Sequence, residues 1–180
     1  MPYIILDRDG VINYDSDEYI KSPDEWKPLP GSLEAIAQLN KLGYKVTVAT
    51  NQSGVNRGLY SLDILSSIHE KMRRCLTEVG GVVDTIFFCP HTPTEACNCR
   101  KPKPGLLQQI AAYYQLDLTQ VPMVGDTMRD LQAAKIMHCQ PILVRSGNFA
   151  TTIDLKHEML KDIPIYDNLA AYVNALCKSP

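Results

Sequence analysis

The sequence has no surplus of basic residues: 18 lysines and arginines stand against 20 aspartates and glutamates, a formal net charge of −2. With a pI near 6.1, the chain lacks the electrostatic footprint of a protein that grips nucleic acid or an anionic membrane surface. No window approaches the roughly 20 apolar residues that span a bilayer, and no basic start leads into an apolar signal core. A cytoplasmic location is therefore expected. Internal repeats, low-complexity tracts and coiled-coil heptads are all missing, so a monomer is expected. At 180 residues, 45% of them hydrophobic and 21% charged, the chain suffices for one core but is short for two, and one domain over 1–180 is expected.

Short, β-branched apolar runs at 3–6, 45–49, 82–88, 121–124 and 141–144 have the length of buried strands, and helical spacing fills the segments between them. One helix follows Ser32 and stops at Gly43. A longer one starts near Ser61, carries Leu65, Ile68, Met72, Leu76 and Val79 on one face, and stops at Gly80-Gly81. Others are expected at 104–116, at 128–138 and over NLAAYVNALC. This alternation predicts an α/β fold, a Rossmann-like open parallel sheet with helices on both faces. Segment 14–28, YDSDEYIKSPDEWKP, has no clean period and two prolines, and is read as an irregular flap over the sheet edge.

Open α/β sheets bind ligands beyond the carboxyl ends of their strands, so the strand ends are compared. The first, in YIILDRDGVIN, ends in Asp7 and Asp9; the second, KVTVAT, ends in Thr50 followed by Asn51, Gln52 and Ser53; the fourth ends in Asp126, with Asp130 next. An Asp-x-Asp after a strand is ordinarily turn chemistry. Acids from separate strands converging on one edge, however, repel one another unless a positive charge joins them. Hard oxygen ligands with an incomplete protein shell suit magnesium, which leaves one carboxylate free to attack phosphorus. Thr50 offers a hydroxyl donor, the backbone N–H groups of 51–54 a possible anion cradle, and CRKPKPG supplies Arg100, Lys101 and Lys103; alone, those three would read as a solvated charge run.

The sequence holds six cysteines, and in a reducing compartment a disulfide framework is not expected. Cys89, His91, Cys97 and Cys99 have the spacing C-x-H-x5-C-x-C, a set of three sulfurs and one nitrogen suited to a closed, structural zinc site. The alternatives are an accidental cluster or one disulfide. Cys75, Cys139 and Cys177 read as small core or surface residues.

DRDGV, VTVAT, the lysine of KPKP and VGDTMRD resemble, in order, the four motifs of the haloacid dehalogenase superfamily of phosphatases. The resemblance implies an aspartyl-phosphate mechanism. Asp7 would attack phosphorus, Asp9 would serve as acid and then base, and Thr50 and Lys101 would bind phosphoryl oxygens. Magnesium would be held by Asp7, Asp126 and the backbone carbonyl of Asp9, with Asp130 orienting Lys101 or a metal-bound water. The gaps between the motifs leave no room for the cap domain usual in that superfamily.

With the cysteine-rich loop, the DRDG motif is similar to a capless, zinc-loop branch that includes heptose 1,7-bisphosphate and histidinol-phosphate phosphatases. TNQSGVNRG and SPDEWKPLPGS look like the heptose side, which implies removal of the C7 phosphate. Arg100 and Arg57 would then read the sugar or its distal phosphate, Asn51, Gln52 and Ser53 would line the phosphate site, and Asp15, Ser16, Asp17 and Glu18 would bond sugar hydroxyls. The expected partner is a small phosphorylated sugar; a zinc-stabilised, non-catalytic binding module is the reading from another class.

Overall fold

Among the described residues, six strands run parallel, in the order β3-β2-β1-β4-β5-β6. In this computed structural model, which describes residues 1–148 and 157–178, the strands are β1 (Tyr3–Leu6), β2 (Lys45–Asn51), β3 (Thr85–Cys89), β4 (Pro122–Gly125), β5 (Gln140–Val144) and β6 (Ile165–Tyr166). The helices are α1 (Ser32–Lys41), α2 (Leu62–Glu78), α3 (Gly105–Tyr114), α4 (Met128–Ile136) and α5 (Leu169–Lys178). The chain steps outward from β1 to β3, then returns to lay β4 on the other side of β1. Diverging crossovers leave a crevice at that switch point.

Side-chain alternation divides the core. Ile4, Leu6, Val46 and Val48 face one side, against Ile36 of α1, Ile68 and Met72 of α2 and Val173 of α5. Ile5, Ala49 and Met123 face the other, against Leu107 and Ile110 of α3 and Ala133 of α4. Each sheet face is thus covered, which is why the strands read as continuous apolar runs. Local signals fix the helix ends. Ser61 Oγ accepts from Ile64 N at the start of α2, and Thr127 and Asp130 form a reciprocal capping box at the start of α4.

Two elements differ from expectation. β3 begins at Thr85 rather than 82, because the Asp84 carboxylate takes the Val46 N–H (3.0 Å) and Asn40 Oδ1 takes that of Val82 (2.7 Å), leaving Val82 exposed. β6 is two residues long, too short to show a period. Only α1 lies between β1 and β2, and only α2 between β2 and β3. Residues 14–28 form neither helix nor extended strand; Tyr14 N donates to Lys27 O at 3.0 Å, and the buried Trp26 pins the segment to the core. No helix among the described residues is long and apolar enough to cross a membrane.

Candidate active site

Register delivers the acids to one place. Leu6 pairs with Val48 on one side and Val124 on the other, so Asp7, Thr50 and Asp126 leave adjacent strands at the same edge. The slot for Asp126 depends on glycine: Gly10 has φ +80, and a Cβ on either Gly10 or Gly147 would collide with Asp126 Oδ2. Both Asp126 oxygens are buried with no hydrogen-bond partner. Burial, with the charges of Asp130 and Asp7, pushes its carboxyl up to about 9.

Lys101 is almost fully buried. Its Nζ lies 3.0 Å from Asp7 Oδ1, donates to Ala49 O at 2.7 Å, and sits 2.6 Å from Asp130 Oδ1, off the line of a well-formed hydrogen bond. Burial works against its charge, but Asp130 and Asp7 outweigh burial and hold the ammonium above its ordinary range. Asp130 Oδ2 accepts from Thr127 N (3.0 Å) and Thr127 Oγ1 (2.6 Å). Burial would raise Asp130, yet Lys101 and those bonds keep it low. Asp7 goes the other way, to about 7, because burial and its acidic neighbours exceed the pull of Lys101.

Oxygens of Asp7, Asp126 and Asp130 all lie within 4.8 Å of one another. Three acids against one ammonium leave the pocket short of positive charge. Asp130 is already engaged by Lys101 and Thr127, whereas Asp126 has only unpartnered oxygens, so a hard divalent cation fits on the Asp126 side.

Asp9 is held differently. Its Oδ1 accepts from Arg8 Nε (3.1 Å), Arg8 Nη2 (2.8 Å) and Asn13 Nδ2 (2.8 Å), and its Oδ2 from Arg8 Nη2 (3.0 Å) and Gln52 Nε2 (2.7 Å). Burial pushes it up, but the Arg8 charge and these bonds prevail and hold the carboxyl below its ordinary value. Gln52 is itself fixed by Tyr60 OH, which donates to Oε1 at 2.7 Å, and its Nε2 also donates to Thr50 Oγ1 at 3.0 Å.

The cavity over these groups has a volume of about 220 Å³. Asp7, Asp9, Thr50, Asn51, Gln52, Ser53, Arg100, Lys101, Asp126 and Asp130 all line it, as do Asp15, Ser16 and Asp17 from segment 14–28. Glu18 and Arg57 do not. Glu18 faces the outer side of that segment, and Arg57 stacks 6.0 Å over the Tyr19 ring. The expected anion cradle at 51–54 is also altered: Gln52 N donates to Cys89 O at 2.7 Å. The side chain of Asn51 instead clamps the backbone of Lys101, with both bonds at 3.0 Å.

Sequence reasoning missed Arg8, Tyr60, His69, Thr127 and Arg129. Arg129 lines the cavity in the first turn of α4, close enough that, after burial, its charge is the next cause lowering Arg100. A cation between the acids of DRDG and another in VGDTMRD were the available signals.

Beside the cavity, donor atoms of Cys89, His91, Cys97 and Cys99 lie within 4.8 Å of one another. Cys89 Sγ is 2.8 Å from Cys99 Sγ and 3.8 Å from Cys97 Sγ, and His91 Nδ1 is 3.2 Å from Cys99 Sγ. The three cysteines are free thiols. Arg100 Nη1 donates to His91 O at 3.1 Å, and Lys103 Nζ to Cys97 O at 2.6 Å, tying this cluster to the loop that presents Lys101.

Residues 3–138 match the haloacid dehalogenase-like hydrolases. The chain is 50% identical to the D-glycero-beta-D-manno-heptose-1,7-bisphosphate 7-phosphatase of Pseudomonas aeruginosa, over 96% of each chain. It is 51% identical to the protein of that name from Pseudomonas putida, over 98% of this chain and 99% of the relative. A solved structure of D,D-heptose 1,7-bisphosphate phosphatase from B. bronchiseptica, complexed with magnesium and phosphate, superposes with a TM-score of 0.95 at 50% identity, covering 99% of each chain.

Proposed function

Since the chain belongs to the haloacid dehalogenase-like hydrolases, we propose that it is a magnesium-dependent phosphatase removing the C7 phosphate of D-glycero-D-manno-heptose 1,7-bisphosphate. The β anomer in its relatives' names is the form it would take. The observation that carries this reading is the orphaned Asp126 carboxylate beside the Asp7–Lys101 pair, a cation slot next to a nucleophile.

Asp7 attacks phosphorus in line with the C7 oxygen, and the P–O bond to the sugar breaks as the Asp7 O–P bond forms. Asp9, whose carboxyl the Arg8 charge keeps ionised at rest, takes up a proton from solvent as substrate binds and gives it to the departing alkoxide, then takes one from the water that hydrolyses the aspartyl phosphate. Thr50 and Lys101 hold the phosphoryl oxygens through both steps, and Asp130 holds Lys101 in place. The Asp7 and Asp126 carboxylates and the Asp9 backbone carbonyl would hold magnesium, which supplies charge neutralisation at those oxygens.

With no cap expected, the single domain would rely on the flap at 14–28 to wall the cavity and on the loop at 89–99 to hold Arg100 beside it. Asp15, Ser16 and Asp17, which line the cavity, would bond sugar hydroxyls, and Arg100 would meet the distal phosphate through its planar fork. Cys89, His91, Cys97 and Cys99 would form a structural zinc site anchoring Arg100 and Lys101. A small soluble substrate suits a cytoplasmic, monomeric enzyme.

The test is phosphate release with magnesium from the α and β anomers of the heptose bisphosphate and from histidinol phosphate. At least a tenfold advantage in kcat/KM, about 1.4 kcal/mol, is expected for the β anomer over histidinol phosphate. The opposite preference would move the chain to another substrate, and no release from any would sink the phosphatase reading.

For the zinc site, protein purified without added metal should contain about one tightly held zinc per chain. Zinc-free protein with full activity would remove the site.

A further inference from the structure

His69 is a buried titratable group that the proposed chemistry leaves unused. It follows Ile68 on the core-facing side of α2 and is 8% exposed. Its Nε2 lies 3.2 Å from Arg8 Nη1. A guanidinium has only donors, so Nε2 must present its lone pair and the imidazole must be the neutral tautomer with its proton on Nδ1. Burial first, then the Arg8 charge, disfavours the imidazolium and takes the group down to about 3.

Arg8 is wholly buried, and its donors divide cleanly. Nε and Nη2 grip the Asp9 carboxylate, while Nη1 meets His69. A fork held at one end only can rotate about its long side chain; an acceptor on a packed helix removes that freedom. The Asp9 side chain keeps 19% exposure, and the fork, together with Asn13 and Gln52, fixes how its carboxyl faces the cavity.

We propose that His69 is a positioning residue for Asp9, acting through Arg8, so that the carboxyl is aimed at the oxygen leaving phosphorus. This rests on the phosphatase reading above. Its signature is dependence on the leaving group: a sugar alkoxide needs the Asp9 proton, whereas the 4-nitrophenolate of 4-nitrophenyl phosphate departs without one. The ratio kcat/KM reports steps up to the first irreversible one and so isolates phosphoryl transfer to Asp7.

The experiment compares kcat/KM for heptose bisphosphate and 4-nitrophenyl phosphate in wild-type, His69→Leu and His69→Gln proteins, the Gln amide oxygen reaching the place of Nε2. His69→Leu should lose about 30-fold on the sugar phosphate, part of the roughly 10²–10⁴-fold that acid–base catalysis supplies, and less than about threefold on the aryl phosphate. His69→Gln should recover most of the loss. Nitrogen NMR of the wild-type imidazole should show Nε2 unprotonated at neutral pH.

Equal losses on the two substrates, a Gln variant no better than Leu, or a protonated Nε2 would each overturn the proposal. Wild-type protein inert toward both substrates would mark failure of the phosphatase reading itself and would take this inference with it.

Discussion

Asp7→Asn is expected to lower phosphate release by at least about 10⁴-fold, the scale on which removing a nucleophile acts, while leaving the fold intact. The amide is nearly isosteric, so the Arg8 N–H that bonds Asp7 Oδ1 at 2.7 Å keeps an acceptor. Electrostatics favours the change. The Asp7 carboxyl is already pushed to about 7 by burial and by Asp130 and Asp9, so a neutral group there relieves repulsion that the fold otherwise bears. Lys101 gives up one anionic partner but retains Asp130.

The variant should therefore melt at or above the wild-type temperature while doing no chemistry. Thermal melts beside phosphate-release assays check both halves. Wild-type turnover in Asp7→Asn would mean that phosphorus is attacked by another group, and the assignments built on it would have to be redrawn.

The sequence makes the acids visible because a strand end is a positional statement. Once β1, β2 and β4 are placed by their apolar runs, Asp7, Thr50 and Asp126 can only emerge at the carboxyl edge, and parallel register does the rest. The same logic fails where no period exists. In segment 14–28 nothing in the pattern separates Asp17, on the cavity wall, from Glu18, which faces outward.

Arginines were misjudged for a related reason. Arg57 and Arg129 both follow motif residues closely, but a turn carries the first toward Tyr19 and the first turn of α4 carries the second into the cavity. Arg8 was hidden by its own neighbours. Between two acids in a loop it reads as a surface charge, and only tertiary packing reveals that it is buried and held by a helix 61 residues away in sequence. Long side chains choose their direction through contacts that local sequence does not encode.

Lys101→Met should be the most destabilising single change at this site and should abolish most activity as well. Met fills similar volume and keeps the stem's packing, but it leaves Asp7, Asp126 and Asp130 facing one another with no cation. Breaking a buried pair by removing one partner costs about 3–5 kcal/mol; here one ammonium serves both Asp7 and Asp130, so the upper end is expected.

The pH dependence has a definite sign. In the wild type Asp130 is held below its ordinary pKa by Lys101 despite burial, and a carboxyl depressed in the fold contributes stability present above its unfolded value and lost as pH falls through the folded one. Without Lys101 that contribution goes, and all three acids are pushed upward by burial and by one another. The gap between wild type and variant should therefore be small near pH 4, where the unfolded carboxyls also take up protons, and widen toward pH 8.

Magnesium should narrow the gap at pH 8 and do little at pH 4, since only the ionised acids bind it. Denaturant unfolding of both proteins across that range, with and without magnesium, measures it. A gap that stayed constant with pH would mean that Lys101 stabilises by packing its stem, and that its charge is not what holds these three acids together.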